Sequence, residues 1–306
     1  LHPDTKEEYA LARKEVKTGL GHKDFEFDVN KEITIEEDLL RRDLTINAIA
    51  KTEAGEIIDP YGGLQDIENK VLRHISDAFK EDPLRVFRVA RFYTYLSKFD
   101  FKIYEETISF MKEICESGEL SNLSFERIWM ETQKCLSMKN SHLYFEILNE
   151  IGALSTFTSE LKKFSKNIIS LKGKKENLLS DEEKWALLTL NIKLNKKVKV
   201  PNRFKKYSNH LSTFVNTLNG EISSKLVLEA LMKIDAFRDK DRANKIYNLY
   251  KLVANENEIM NNLDFFLLLD KLTKVKPKKI KDKNSKLIKQ EIYDKRILLI
   301  EEFINE

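Results

Sequence analysis

The sequence is short of cysteine, glycine and proline, and it has no long apolar run. Its only cysteines, Cys115 and Cys135, are too few for a disulfide framework, so we expect a reduced, cytoplasmic setting. Nine glycines and five prolines in 306 residues interrupt the chain rarely, which favours long helices. No stretch is apolar over the length of a membrane span and no signal peptide opens the sequence, so we expect no membrane contact.

Charged residues are plentiful but unevenly placed. The chain is 34% charged and 42% hydrophobic, enough for two or three small domains with cores of their own. Residues 1–150 hold 21 basic and 30 acidic residues, a net charge of −9, whereas residues 151–306 hold 32 and 20, a net charge of +12. The asymmetry suggests chemistry in the first part and contact with a polyanion in the second, or simply two solvated surfaces of different composition.

Short strands and helices are expected before about residue 68. The alternation typical of strands occurs in three segments: "EEYALARKEV" at 7–16, "FEFDV" at 25–29 and "LTINAIA" at 44–50. Thr34 and Glu37 fit a capping box that opens a short helix. A turn at Gly55 leads from the third strand into a fourth, and "DPYGGLQDI" is rich in turn residues.

Helical spacing continues from about residue 68 to the end of the sequence. Four helices are expected in "DPLRVFRVARFYTYL", "YEETISFMKEIC", "FERIWMETQKCL" and "HLYFEILNEIG". Later helices are expected at 182–193, 205–218, 224–236, 240–253 and 261–272, before a last helix at the C-terminal end. The Lys- and Ser-rich stretch 161–180 is predicted to be a linker.

Arginines recur every three residues in "EDPLRVFRVAR". Asp82 and Pro83 suit the N-cap and first position of a helix that carries Arg85, Arg88 and Arg91 as one stripe. The residues between the arginines are apolar, so the helix is expected to be buried nearly all round. Buried guanidinium groups need acceptors. Either phosphates, which suit the planar fork of arginine, or acidic side chains of the same chain would serve.

A second polar cluster lies in "DLLRRDLTINAIA". Arg41, Arg42 and Asp43 stand where the expected helix passes into the expected strand, and Thr45 and Asn47 share one face of that strand. Arginine can hold a triphosphate, while aspartate and asparagine can bind ribose hydroxyls. The alternative is a cluster of charges at a helix end, with Asn47 merely exposed.

Four motifs occur in a recognisable order: "RRDLTINA" at 41–48, "DPYGGLQD" at 59–66, "EDPLRVFRVARF" at 81–92 and "LSFERIWME" at 123–131. Together they resemble the class II tRNA nucleotidyltransferase and poly(A) polymerase superfamily, and residues 1 to about 153 resemble bacterial CCA-adding enzymes closely. The resemblance implies an α+β fold with a partial nucleotidyltransferase (polymerase-β-like) mixed-sheet head at 1–67. A helical neck with nucleotide-recognition helices would follow at 68–153, and a helical body and tail that bind tRNA at 154–306.

The resemblance assigns a nucleotide-binding role to both polar clusters. Arg42 would contact the phosphates of the nucleotide and Asp43 its sugar, with Asn47 in the same site. We therefore expect the guanidinium group of Arg42 and those of the arginine stripe to line one cavity sized for CTP or ATP.

The base of the nucleotide would be read by the helix that carries the stripe. Asp82 would accept a hydrogen bond from the exocyclic amine of cytosine or adenine, and Arg85 would donate to ring acceptors. Because both bases carry that amine, one pair of side chains could serve both after a small shift. Arg88 and Arg91 would complete the site.

Two further motifs would have supporting roles in such an enzyme. Asp59, Gly62 and Gly63 would belong to a flexible joint between head and neck, since glycine tolerates most backbone angles. Glu126 and Arg127 match a neck motif that would support the helix reading the base.

The family's metal-binding segment has no match in this sequence. In the family, a Gly-Gly turn and an Asp-x-Asp pair on a strand hold two Mg²⁺ ions, and the missing piece would be on the order of 40–60 residues. Leu1 in place of a methionine indicates that residue 1 is not the true start. Glu8 matches the family's supporting third carboxylate, but we expect the chain as given to bind nucleotide weakly and to catalyse poorly or not at all without the segment.

Two other acidic pairs have the right spacing for a metal but the wrong context. Glu26 and Asp28 would share one strand face, although the family places its carboxylates on an earlier strand. Asp239 and Asp241 fall in an expected helix, where residues two apart do not face each other.

The C-terminal half offers a basic surface rather than a second active site. His142 and His210 do not adjoin aspartates, which argues against the His-Asp phosphohydrolase domain of many relatives. The basic runs "LKGKKE", "NKKVKVPNRFKKY" and "KLTKVKPKKIKDKNSK" fit either contact with tRNA phosphates or a solvated lysine face. Trp185 and Phe214 are expected in the core.

The resemblance implies a cytoplasmic enzyme that adds CCA to tRNA 3′ ends from CTP and ATP, with Mg²⁺ and without a nucleic-acid template. A poly(A) polymerase of the same family and a non-catalytic tRNA-binding fragment are the alternatives. The oligomeric state stays open.

Overall fold

The computed structural model describes residues 5, 14–17, 25–28, 33–172, 176–254, 260, 262–277 and 285–305. Contacts divide the chain into two units. The first is Leu1–Ser165 with Leu194–Lys199, and the second is Lys166–Lys193 with Val200–Glu306. The domain boundaries after residues 67 and 153 stay predictions. Within the part of the chain just given, no helix is long and apolar enough to cross a membrane.

The strands of the first unit form three two-stranded pairs. β1 (Lys14–Lys17) runs antiparallel to β2 (Phe25–Asp28), β3 (Ala50–Lys51) antiparallel to β4 (Ile57–Ile58), and β5 (Val71–Leu72) parallel to β6 (Lys102–Ile103). The turn between β3 and β4 contains Gly55 at φ 90°, as its position in the sequence predicted. Short strands among many helices confirm the α+β class.

Within the described residues, seven helices lie wholly or partly in the first unit, and two of them pack on a third. The seven are α1 (Ile35–Leu40), α2 (Gly63–Glu68), α3 (Leu84–Leu96), α4 (Glu105–Glu116), α5 (Phe125–Leu136), α6 (His142–Glu150) and the start of α7 (Leu161–Lys172). Val86, Phe87, Val89 and Ala90 of α3 are wholly buried, and α3 packs against α5 and α6. The helix between the arginines is therefore buried, as expected.

In the part of the second unit that the structure describes, all regular elements are helices. Its helices are the remainder of α7, α8 (Asp181–Leu188), α9 (Asn202–Thr217), α10 (Ser224–Lys233), α11 (Lys240–Val253), α12 (Phe265–Lys274) and α13 (Ser285–Asn305). α8 packs on α9, and α10 packs on α9 and α13. Trp185 of α8 and Phe214 of α9 are wholly buried, which confirms that both belong to the core.

The linker prediction for 161–180 is wrong. α7 occupies 161–172, and Phe164, Ile168 and Leu171 are buried along one side of it. These three residues recur at helical spacing and form an apolar stripe. Composition alone does not reveal the stripe, because lysines and serines surround it.

The strand prediction for 44–50 is also wrong, whereas the helix before it is as expected. Thr34 and Glu37 form the capping box of α1. Thr45–Asn47 then form one turn of 3₁₀ helix, and Leu44 makes only an isolated bridge to His74. Thr45 and Asn47 therefore do not share a strand face. Both side chains donate hydrogen bonds to aspartates, which stabilises a turn in place of a strand.

Candidate nucleotide site

Asp43 is a buried charge of the candidate site. Arg88 Nε donates to Asp43 Oδ2 at 2.7 Å, and Asn47 Nδ2 donates to Asp43 Oδ1 at 2.9 Å. The backbone N–H of Leu44 donates to the same Oδ1. Burial acts to raise the pKa of Asp43, but the charge of Arg88 and the hydrogen bonds from Asn47 and Arg88 outweigh it and lower that pKa. The carboxylate is thus held ionised and in one orientation.

Arg42 lies at the edge of this cluster. Its Nη2 donates to Asp38 Oδ2 at 3.2 Å, and 46% of its side chain is exposed. Arg41 binds the same carboxylate through Nε and Nη2, at 2.9 and 2.6 Å. Asp38 therefore holds both arginines at the C-terminal end of α1, with Arg41 the more tightly held of the two.

The start of α3 presents the two residues expected to read a base. Asp82 Oδ1 accepts from the backbone N–H of Leu84, the contact expected of an N-cap, and Arg127 Nη2 donates to Asp82 Oδ2 at 3.2 Å. Arg85 Nη2 donates to the carbonyl of Arg41 at 2.7 Å, and Nη1 donates to the carbonyl of Ala78 at 3.0 Å. Arg85 therefore ties the start of α3 to the segment that carries Arg42 and Asp43.

The other two arginines of the stripe pair with different carboxylates. Arg88 binds Asp43 through Nε alone, and its terminal nitrogens make no hydrogen bond among the described residues. Arg91 Nε donates to Glu131 of α5, which also accepts from Lys134 at 3.2 Å. Burial acts to raise the pKa of Glu131, but the hydrogen bonds and charges of Arg91 and Lys134 lower it.

Direct contacts thus join some of the predicted site residues and separate others. Asp43, Asn47 and Arg88 touch one another, and Arg85 reaches the residue next to Arg42. Arg91 is drawn to α5 instead. Within the chain, the arginines of the stripe donate to acidic side chains and, in the case of Arg85, to backbone carbonyls. The common cavity for CTP or ATP stays a prediction.

The predicted joint, which contains Asp59, Gly62 and Gly63, packs on the 3₁₀ turn at Thr45–Asn47. Asp59 accepts from the backbone N–H groups of Gly63 and Leu64 at 2.7 and 2.8 Å, which starts α2. Gly62, at φ 72°, has a left-handed conformation that favours glycine. A Cβ on Gly63 would overlap the carbonyl oxygen of Thr45, so only glycine allows α2 to approach the 3₁₀ turn this closely.

Sequence reasoning missed four residues that organise the site. Asp66 accepts from Thr45 Oγ1 at 2.6 Å and from Arg73 Nε, whose guanidinium lies 3.7 Å from the centre of the Tyr104 ring. The missed residues are Asp38, Asp66, Arg73 and Glu131. Asp38 could have been found, because it precedes Arg41 and Arg42 by three and four residues on a predicted helix. Asp66 and Glu131 end the motifs at 59–66 and 123–131, whereas no local signal marks Arg73.

The described residues do not fit a Mg²⁺ site. Glu8 lies outside the described residues, and Glu26 and Asp28 belong to β2. Among the residues that the structure describes, no three His, Cys, Asp or Glu side chains are grouped to hold a metal. Asp239 caps α11 by accepting from the backbone N–H of Arg242.

Comparisons with known proteins agree with the order of the motifs. The family model "Poly A polymerase head domain" matches residues 3–73, and "Probable RNA and SrmB- binding site of polymerase A" matches residues 100–165. A CCA-adding enzyme of Buchnera aphidicola subsp. Acyrthosiphon pisum (strain Tuc7) is 38% identical over 314 residues, which cover 88% of this chain and 74% of the relative. The chain belongs to the CCA-adding enzyme family.

Similarity to other members of the family is higher over a shorter stretch. The multifunctional CCA protein of Haemophilus influenzae (strain PittGG) is 58% identical over 161 residues, which cover 53% of this chain and 39% of the relative. The chain spans about two fifths of the length of the first curated relatives it matches, 39% or 40% of each.

Solved structures of CCA-adding enzymes share the fold. The Bacillus stearothermophilus enzyme in complex with CTP aligns at a TM-score of 0.53 and 25% identity, over 76% of this chain and 61% of that one. The Thermotoga maritima enzyme complexed with tRNA aligns at a TM-score of 0.58 and 20% identity, over 90% of this chain and 71% of that one. At 20% identity the second likeness concerns the fold alone.

Proposed function

We propose that this member of the CCA-adding enzyme family binds CTP and ATP and takes part in adding CCA to tRNA 3′ ends without a nucleic-acid template. The hydrogen bond between Arg88 and Asp43 carries the proposal, because it joins two segments that lie 45 residues apart and that the family resemblance places in one nucleotide site. Asn47 completes this group from the other side of Asp43.

The phosphates would bind to the arginines that keep donors available. Arg42 is nearly half exposed and makes one hydrogen bond to Asp38. Arg88 uses only Nε within the described residues, so its two terminal nitrogens can meet an anion. Arg91, paired with Glu131, would complete the site by holding α3 in place. The sugar would meet Asp43 and Asn47, whose polar atoms suit ribose hydroxyls.

The base would be read by exchanging hydrogen bonds at the start of α3. Asp82 accepts from Arg127, and Arg85 donates to two backbone carbonyls. A cytosine or adenine amine would take the place of Arg127 at the Asp82 carboxylate, while Arg85 would turn to a ring acceptor. Gly62 and Gly63 of the joint would permit the small shift between the two bases.

The tRNA would bind to the basic surface of the C-terminal part. Lys205 and Lys206 of the run at 195–207 are exposed on α9. Exposed lysines suit the phosphate backbone, and binding should therefore weaken steeply as salt is raised. The cytoplasm, where we propose the protein acts, keeps cysteines reduced, and Cys115 and Cys135 are both free thiols.

Extension of tRNA tests the proposal. We would join the chain to the N-terminal segment of a curated relative that carries the Asp-x-Asp pair, and supply a tRNA that ends before its CCA, with Mg²⁺, CTP and ATP. CMP and AMP should be incorporated in the order C, C, A, and Asp82→Ala should abolish the preference for CTP and ATP over UTP and GTP. Asp77→Ala, an exposed aspartate five residues earlier, is the matched control.

The alternatives predict different products from the same assay. A poly(A) polymerase would extend the tRNA with ATP but add almost nothing from CTP alone. A non-catalytic tRNA-binding protein would leave the tRNA unextended even when joined to the metal-binding segment. Either product would contradict the proposed function.

A further inference from the structure

A half-enclosed cavity of about 380 Å³ lies in the first unit, outside the candidate nucleotide site. Four apolar side chains line its inner part, and all are buried: Leu120, Leu123, Phe125 and Ile128. Phe125 and Ile128 are three apart on α5, whereas Arg127 and Glu131 of the same helix pair with Asp82 and Arg91. The volume is within the range of roughly 300–1,000 Å³ typical of small-molecule sites.

A crossing segment, Leu194–Lys199, borders the mouth of the cavity. Asn195 fixes it: its backbone N–H donates to the carbonyl of Phe157 at 2.9 Å, and its Nδ2 donates to the carbonyls of Ser155 and Thr156. Lys197 Nζ donates to the carbonyl of Ser121, another residue that lines the cavity, at 3.2 Å. Hydrogen bonds therefore hold the crossing segment to other residues of the lining.

Lys196 adds a positive charge to this mouth. Its side chain is exposed and makes no hydrogen bond or ion pair with the described residues. The hydroxyls of Ser121 and Thr156 line the same opening and are not hydrogen-bonded among those residues either. Its neighbour Lys197 already binds a carbonyl, so Lys196 is the cation of the mouth that is ready to meet an anion.

We propose that this cavity binds a small organic carboxylate with an apolar body. The aromatic or aliphatic body would enter among the four apolar side chains, and the carboxylate would stay at the mouth, where it would meet Lys196 and the two hydroxyls. Hydrophobic burial would provide the affinity, and the single cation would fix the orientation. The four buried residues that line the cavity have no hydrogen-bonding group in their side chains.

A nucleotide base suits this cavity less well than an apolar acid does. The ring nitrogens and exocyclic groups of a base need hydrogen-bond partners, and a buried polar group without one is costly. The side chains of Leu120, Leu123, Phe125 and Ile128 provide none. The cavity therefore differs from the candidate nucleotide site in its apolar lining as well as in the residues that form it.

Titration calorimetry with 2-naphthoate as the probe tests the proposal, and 2-naphthylmethanol is its uncharged counterpart. The full chain should bind one naphthoate and bind the alcohol several times more weakly. Lys196→Gln should weaken naphthoate binding about fivefold, the size expected for one exposed ion pair, and should leave binding of the alcohol unchanged. Ser121→Phe, which places a ring at the mouth, should weaken both.

Lys199→Gln is the matched control, because Lys199 belongs to the crossing segment but does not line the cavity. It should bind naphthoate as the unchanged chain does, and circular dichroism should show that all variants fold. Three results would overturn the proposal: naphthoate that fails to bind at millimolar concentration, equal affinity for the acid and the alcohol, or equal losses in Lys196→Gln and Lys199→Gln.

Discussion

Asp43 has two opposing influences on its ionisation. Burial in the protein disfavours its charge, whereas Arg88 and Asn47 favour it, and the net result is a pKa below the usual 3.8. A carboxyl group whose pKa is lower in the folded chain adds stability at every pH above the unfolded value. That contribution is lost as the pH falls through the folded value, because both states are then protonated. Asp43 thus links the candidate site to acid unfolding.

Asp43→Asn should remove this linkage. We expect the free energy of unfolding at pH 7 to fall by about 2 kcal/mol, the loss typical of hydrogen bonds to a charged group. Between pH 5 and pH 3 the variant should lose less stability than the unchanged chain. Urea unfolding at a series of pH values measures both effects. Asp77→Asn, at an exposed site, should change neither, and parallel pH profiles for Asp43→Asn and the unchanged chain would contradict the assignment.

His210 has the opposite linkage, in the second unit. Burial first, then the charges of Arg242 and Lys206, lower the pKa of His210 from 6.5 to about 4, although Asp235 and Asp239 act to raise it. Its Nδ1 accepts from Arg242 Nε at 3.3 Å, which requires the unprotonated nitrogen. Between pH 6.5 and pH 4 the unfolded chain therefore binds a proton here that the folded chain does not, and stability falls as the pH is lowered.

His210→Gln should flatten that part of the pH profile, since the glutamine oxygen can still accept from Arg242 but cannot be protonated. In a Trp129→Phe background, where Trp185 fluorescence reports the second unit, we expect its free energy of unfolding to change less between pH 6.5 and pH 4 than in the same background with His210. A slope equal to that of the background with His210 would show that His210 is protonated equally in both states.

The close packing of α2 on the 3₁₀ turn at Thr45–Asn47 depends on Gly63. α2 begins at this residue, and a Cβ would lie against the carbonyl of Thr45 and within 2.8 Å of Ile49 Cγ1. Gly63→Ala should therefore destabilise the first unit by about 1–3 kcal/mol, the usual cost of overpacking. Gln65→Ala, at an exposed position of the same helix, should have almost no effect. Urea unfolding followed by Trp129 fluorescence in a Trp185→Phe background compares the two, and equal midpoints would contradict this packing.

Helices with a regular apolar stripe could be predicted from the sequence, because the signal for each lies within its own residues. The structure places α11 at Lys240–Val253, the bounds that the spacing predicted. α7 was missed, although its apolar stripe is equally local, because composition was weighed above periodicity. The turn at Thr45–Asn47 was missed for a different reason. The partner of Thr45, Asp66, lies 21 residues further along the chain. The alternation of polar and apolar residues at 44–50 gives no information about that contact and wrongly predicted a strand.

The candidate site could be predicted in its members but not in their pairing. Motif resemblance identified Asp43, Asp82 and the arginines, because residue types in order are visible in a sequence. The partners of Arg91 and Asp82 are Glu131 and Arg127, which lie 40 and 45 residues away on α5. Which acid faces which arginine depends on how α3 packs against α5, and helix spacing gives no information about that.

At the scale of the whole molecule, contacts divide the chain into two units, of which the first is the more acidic. The first unit has its core around α3 and α5, and Trp129 of α5 is buried in it. The second has its core around α8 and α9, with Trp185 wholly buried. The net charge changes from −9 before residue 151 to +12 after it. Each unit thus has its own apolar core, its own charge and one tryptophan.

Separate cores should give separate unfolding transitions. Trp185→Phe leaves Trp129 as the only tryptophan, and its fluorescence should follow the first unit alone, whereas far-ultraviolet circular dichroism follows the helices of both. Two-state unfolding holds for one cooperative core, so we expect the fluorescence and circular dichroism signals of this variant to give different urea midpoints. In Trp129→Phe the remaining Trp185 follows the second unit, and its midpoint should differ from that of circular dichroism in the opposite direction. The slope of each fluorescence transition should also be smaller than that of a single core of 306 residues, since it reports less exposed surface. Coincident midpoints in both variants would mean that the two units unfold as one.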